Sequence, residues 1–317
     1  MRTIAIVNQK GGCGKTTTAI NLGGIFAAAG YKTLLVDMDP QGHCAAGLAI
    51  PEQRIDVHIG DAMLALAQHP PRPFDHDRLL WRVSRNLDLA PSTMKLAGLE
   101  ASRGDFAGQP GAETRLARVL RHLGHSHDIC LIDCSPAIGM LAFNALVAAD
   151  EVLIPVETGF FSLQGATKQV NTIKALARRL GASPTYRLLA TLHNADSIMA
   201  AELLDELRRR FGAKLIPSPI RFDQRLREAA SFGQSIGEYA PDSAGAIDYR
   251  TLAQWLVDNK PALRHEPDLA HPDAPAPPPT ALSASSLMSE IADEMLGTPV
   301  PSVLVPDQPA SHLAASV

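Results

Sequence analysis

Eight consecutive residues constrain this chain more than any others: Lys10-Gly11-Gly12-Cys13-Gly14-Lys15-Thr16-Thr17. They follow the apolar run Thr3-Ile4-Ala5-Ile6-Val7 and open a helix-like stretch from Thr16 to Ala29. The three glycines let backbone N–H groups turn inward around an anion, and the helix N-terminus adds its partial positive charge. Lys15 then reaches the outer phosphates of a bound nucleotide, and the Thr16 hydroxyl is placed to ligate Mg²⁺. A glycine-rich turn arising by chance has no reason to carry the lysine and the hydroxyl at these positions, between a strand and a helix.

Such a loop requires a buried strand before it and a packed helix after it, and the rest of the chain supplies that setting. Strands are expected at Thr3–Asn8, Thr33–Asp37, Leu87–Ala90, Asp128–Asp133, Glu151–Val156, Arg187–Leu192 and Lys214–Pro217. Several are apolar on consecutive residues, as parallel strands buried on both faces are. Helices are expected between them, at Thr16–Ala29, Thr114–Leu123, Gln164–Leu180 and Met199–Phe211. The alternation predicts a doubly wound, mostly parallel sheet flanked by helices over residues 1–260. Beyond that the composition changes. Residues 261–317 hold 11 of the 24 prolines and seven acidic residues against one arginine, a composition that favours a disordered tail. Within it, residues 287–296 space their apolar side chains as a short helix would, with acids opposite.

Bulk properties exclude several classes. Charged residues make up 20% and the formal net charge is −4, so any affinity for nucleic acid must be local. Met1 and Arg2 lead directly into the first strand, which reads as neither a secretory leader nor a helix-turn-helix extension. No apolar run is long enough to span a bilayer, and the one amphipathic stretch in the tail is acidic, so membrane binding is not expected. The four cysteines, Cys13, Cys44, Cys130 and Cys134, form no CxxC pair and read as reduced thiols of a cytoplasmic protein.

Further acids complete the phosphate loop. Ile129-Cys130-Leu131-Ile132-Asp133 is an apolar strand ending in a carboxylate that would stand beside the metal. Leu34-Leu35-Val36-Asp37-Met38-Asp39-Pro40-Gln41-Gly42 ends a second strand with two more. Taken with the KGGxGKTT loop, in which Gln9 stands where an ordinary P-loop has glycine, these segments resemble the ParA/MinD family of deviant Walker A ATPases. Ile216-Pro217 and the stretch Arg225–Ile236 extend the likeness, which covers about residues 1–258. The resemblance implies an ATP- and Mg²⁺-dependent hydrolase with residues 10–17 around the nucleotide. Lys10 would reach across a homodimer to the partner's phosphates. Asp39 would lie near the attacking water, and Asp37 close to the Mg²⁺ shell with Thr16 and Asp133. Pro217 and Asn194 are the candidates for the adenine.

Branches of this family differ in function. The acidic tail argues against a membrane-bound MinD type. The cysteine spacing argues against an iron–sulfur carrier, and the lack of tyrosine beyond Tyr249 against a tyrosine autokinase. Between Lys168 and Glu228 there are 12 basic residues against six acidic ones, with Arg208, Arg209, Arg210, Arg221, Arg225 and Arg227 as candidates for non-specific phosphate contacts. The expectation is a ParA-type ATPase associated with the nucleoid. It forms an ATP-sandwich dimer, binds DNA without reading sequence, and positions a plasmid, a chromosome or a protein assembly. A cargo-linked adaptor protein would stimulate its hydrolysis. The competing expectation is a regulatory or scaffolding P-loop ATPase that ignores DNA and acts through protein partners.

Overall fold

Consecutive apolar residues bury both faces of a strand, and the three innermost strands show it. In the computed structural model, β1 (Arg2–Ile6), β2 (Thr33–Met38) and β5 (Ile129–Cys134) are buried at every position. The structure describes residues 1–261 except 69, 102–108, 110, 160, 161 and 183. With β3 (Trp81–Ser84), β4 (Leu87–Ala90), β6 (Glu151–Glu157) and β7 (Thr185–Thr191), these strands form one sheet of order β3-β4-β2-β5-β1-β6-β7. Every pairing is parallel except β3 with β4.

Helices cover both faces. In chain order they are α1 (Lys15–Ala28), α2 (His43–Gly47), α3 (Ile59–Ala67), α4 (His76–Leu79), α5 (Lys95–Ala101) and α6 (Arg115–Leu123). Then follow α7 (Met140–Ala148), α8 (Ser162–Arg179), α9 (Ile198–Phe211), α10 (Arg225–Ser231), α11 (Ile236–Tyr239) and α12 (Ala244–Asp258). Alternation along each strand divides the core in two. Ala5, Val36, Ile132 and Ile154 face one layer, packed with Met63 of α3, Val119 of α6, Leu141 of α7 and Ile173 of α8. Ile4, Ile6, Leu35 and Leu131 face the other, packed with Leu22 and Phe26 of α1 and with Tyr249 and Leu252 of α12.

The doubly wound sheet expected from the sequence is present, with two local differences. β3 is an antiparallel edge strand that the sequence did not announce, since it is short and mostly half-buried. Lys214–Pro217 is not a strand. The chain there does follow the edge of β7, with Ile216 N–H on Leu188 O at 2.9 Å and Ile220 N–H on Ala190 O at 2.8 Å. Pro217 and Pro219, on either side of Ser218, have no N–H to give, so a continuous ladder cannot form. The tail, with its expected disorder and its helix at 287–296, lies outside the described residues.

Candidate nucleotide site

In an open parallel sheet, ligands bind beyond the carboxyl ends of the strands where the chain reverses its winding. Here β1 leads through α1 to β2, past β5, while β6 lies on the other side of β1. The loop from Val7 to Gly14 leaves the carboxyl end of β1 at that place. Gly12 and Gly14 adopt φ of +73° and +88°, a region closed to most side chains, and this turns the loop back over the start of α1. Gly14 caps α1 without a side-chain hydrogen bond, and the first turn carries no acid, so its amide ends are left for an anion.

Three contacts fix the loop. Thr191, the last residue of β7, donates its hydroxyl to Cys13 O at 2.9 Å. Asn8 Oδ1 accepts Lys10 N–H at 2.9 Å, and Gln169 of α8 accepts Gln9 N–H at 3.2 Å. The two lysines are disposed differently. Lys15 is buried, and its ammonium donates to Lys10 O at 3.0 Å. Lys10 is 58% exposed, and its ammonium pairs with Glu157 at the end of β6. Cys13 lies inside the loop wall with its thiol on Lys10 O at 3.2 Å. It is fully buried, and burial raises the thiol's pKa.

The acids meet because strand register puts them on one rung. Asp37 pairs with Asp133 across β2 and β5, and Asp133 pairs with Ile6 across β5 and β1. Thr16 donates its hydroxyl to Asp133 Oδ2 at 2.6 Å. Asp37 accepts Asp39 N–H at 3.0 Å and Cys44 N–H at 3.0 Å, which ties the end of β2 to the start of α2. Asp39 in turn accepts Gln41 N–H at 3.0 Å. Its carbonyl takes the Ser92 hydroxyl from the loop after β4, a contact no linear motif announces. Burial, then the neighbouring Asp133 carboxylate, raise the pKa of Asp37 well above the usual carboxylate range. Asp133 is also raised, chiefly by burial. Its Oδ1 is buried and has no hydrogen-bond partner among the described residues. Two crowded, desolvated carboxylates with an orphan oxygen beside a threonine hydroxyl suit a divalent cation, so the donor set fits Mg²⁺.

The remaining candidates are more dispersed. Asn194 and Pro217 are both exposed, in segments joined by the bonds between His193 and Ile220 and between Phe222 and His193. Arg208, Arg209 and Arg210 are exposed in the last turn of α9, where Arg208 pairs with Asp205 and Arg209 with Glu206. Arg225 and Arg227 are exposed on α10. Arg221 differs, since its guanidinium forks onto Asp248 of α12 at 2.7 and 2.9 Å. Glu157 and Cys44 were not anticipated from the sequence. Each reaches the site through tertiary contact, and no local spacing marks it.

A glycine-rich loop closing the first strand of a parallel sheet, with a lysine and a threonine at the helix start and a carboxylate on the adjacent strand, defines a P-loop nucleoside triphosphatase. A family model described as AAA domain matches residues 1–184. The sporulation initiation inhibitor protein Soj of Bacillus subtilis is 35% identical over 259 residues, 81% of this chain and 99% of that one. The chromosome-partitioning ATPase Soj of Thermus thermophilus is 37% identical over 262 residues, 81% and 96% of the two chains. Among solved structures, cobyrinic acid a,c-diamide synthase from Mycobacterium smegmatis with bound ADP and magnesium superposes with a TM-score of 0.67 at 27% identity, covering 81% of this chain and 94% of that one. The chain belongs to the ParA-like, Soj-related family of P-loop ATPases.

Proposed function

We propose that this protein is a Mg²⁺-dependent ATPase that cycles between a monomer and an ATP-sandwiched homodimer, and that the dimer binds DNA without sequence preference to position cargo. The observation that carries the reading is the division between two lysines in one loop. Lys15 is buried against its own loop, whereas Lys10 is exposed at the rim, where its ammonium pairs with Glu157. An exposed cation beside the phosphate site is free to serve a second subunit, which couples dimerisation to ATP.

In this reading residues 10–17 hold the phosphates, and Thr16, Asp37 and Asp133 hold Mg²⁺. The metal offsets charge on the outer phosphates, and Asp39 orients the attacking water. The edge segments bearing Asn194 and Pro217 flank the adenine. The ATPase domain spans residues 1–260, and its last helix, α12, ends at Asp258. DNA contacts fall to Arg208, Arg209, Arg210, Arg225 and Arg227. The pairs that Arg208 and Arg209 make are solvent-exposed and screened by water, so phosphates replace them readily. Arg221, held by Asp248, mainly fastens the chain after β7 to α12. The protein works in the cytoplasm on nucleoid DNA, and an adaptor on the cargo stimulates hydrolysis. Among the described residues no helix is long and apolar enough to cross a membrane.

The test is binding of Asp39→Ala protein to a random-sequence duplex, with ATP and with ADP, over a salt series. This variant should retain ATP, stall hydrolysis and persist as a dimer. Binding that requires ATP and falls steeply with salt supports the proposal. An ATP-bound dimer that ignores DNA at low salt refutes its DNA half and favours a regulatory ATPase acting through protein partners.

A further inference from the structure

Beside the proposed Mg²⁺ position lies a thiol that the nucleotide chemistry does not use. Cys44, in the first turn of α2, is fully buried and places its Sγ 3.4 Å from Asp133 Oδ2. One ligand atom each from Asp37, Cys44 and Asp133 all fall within 4.8 Å of one another, and all three residues are buried. Among the described residues Asp133 Oδ1 has no hydrogen-bond partner, and the residue is 0% exposed. Two carboxylates and a sulfur are a mixed donor set. Hard cations such as Mg²⁺ take oxygen and avoid sulfur, whereas thiolates select soft ones.

We infer that Asp37, Cys44 and Asp133 form a second cation site, selective for thiophilic divalent ions of the zinc and cadmium class, that is open only when Mg-nucleotide is absent. Three protein ligands leave a fourth position for water, as in an open zinc site. Coordination forms a metal–sulfur bond, and the Cys44 proton passes to solvent, with no change of oxidation state. Zinc bonds of ~2.0–2.3 Å require the donors to draw together slightly, and the larger cadmium ion spans them with less movement. Asp37 and Asp133 cannot serve both cations in full, so a soft ion at this site opposes loading of Mg-nucleotide.

The experiment titrates CdCl₂ into full-length, chelator-stripped, nucleotide-free protein and follows the ultraviolet thiolate-to-cadmium charge-transfer absorption. One saturable band is expected in the wild type and in Cys13→Ala. In Cys44→Ala, the affinity should fall by more than about 100-fold, since outer-shell partners alone are worth ~10–100-fold. Thermal melting of Cys44→Ala confirms that it is folded, and Cys44→Ser serves as the alternative if it is not. Saturating cadmium should weaken binding of a fluorescent Mg-ADP analogue to the wild type at least tenfold. No band, or a band that survives loss of Cys44, overturns the site, and unchanged analogue affinity overturns the competition. Neither result touches the Asp39→Ala test of DNA binding, which reads a nucleotide-bound dimer.

Discussion

Lys15 is the residue whose role is most tightly set by its surroundings. It begins α1, is buried, and its ammonium donates to a carbonyl of its own loop, Lys10 O at 3.0 Å. A bound phosphate would replace that neutral acceptor with an anionic one, and charge-assisted bonds are the strong ones. Lys15→Ala should therefore weaken ATP binding by at least ~10–100-fold, the equivalent of a charged hydrogen bond, as measured by calorimetry. Affinity within a factor of two of the wild type would remove Lys15 from the site. This much was legible in the sequence, because one loop supplies the turn, the helix start and the cation together. Glu157 and Cys44 were not legible. Glu157 ends an apolar strand like many other acids, and Cys44 acquires meaning only once β2 and β5 pair in register and bring Asp37 opposite Asp133.

Elements carry their own devices at the end of the sheet away from the loop. Glu151 opens β6, is fully buried, and accepts from both Arg2 of β1 and Arg187 of β7. Arg2 also donates to Leu256 O, and Arg187 lies over the Trp255 ring, so the same cluster holds α12 against the strand starts. Removing the carboxylate strands two guanidinium groups, and breaking a buried pair costs ~3–5 kcal/mol. Glu151→Gln should lose about that much stability in urea unfolding, and a loss under ~1 kcal/mol would show that water reaches the arginines. At the opposite edge Asp88 of β4 accepts from His127 at 3.0 Å and from Arg82 of β3. Burial alone would raise its carboxyl, but the hydrogen bonds from His127 and Arg82 outweigh it and hold the pKa below the ordinary carboxylate value. A carboxyl lowered in the folded state adds stability above its unfolded pKa and loses it as pH falls through the folded pKa. Asp88→Asn should thus be less stable than the wild type near neutrality, by ~1–3 kcal/mol for charged hydrogen bonds, and the gap should close as pH falls below the ordinary carboxylate range. A gap that widens in acid would reverse the assignment. Both edges show why elements there resist reading from sequence. β3 is only partly buried and owes its place to Arg82 and to pairing with β4, while Lys214–Pro217 is strand-like in composition but interrupted by prolines. Interior strands were legible because burial on both faces writes itself as a continuous apolar run.

For the whole molecule, the contact to weigh is the one between Lys10 and Glu157. Both belong to one subunit, and the pair is 58% and 35% exposed. In the proposed dimer Lys10 crosses to the partner's phosphates, so each subunit gives up its Glu157 contact when the sandwich forms. Exposed ion pairs are worth ~0.2–1 kcal/mol, and two are lost per dimer. Glu157→Gln should consequently tighten the ATP-dependent dimer by roughly 2- to 30-fold in sedimentation. Lys10→Ala should abolish the ATP-dependent dimer while leaving monomer stability within ~0.5 kcal/mol, as for other exposed positions. The two variants constrain one another. If Glu157→Gln weakens the dimer, Glu157 supports the sandwich and does not compete with it. If Lys10→Ala dimerises normally with ATP, the lysine has no role across the interface, and the exposure of Lys10 then reflects only a solvated loop.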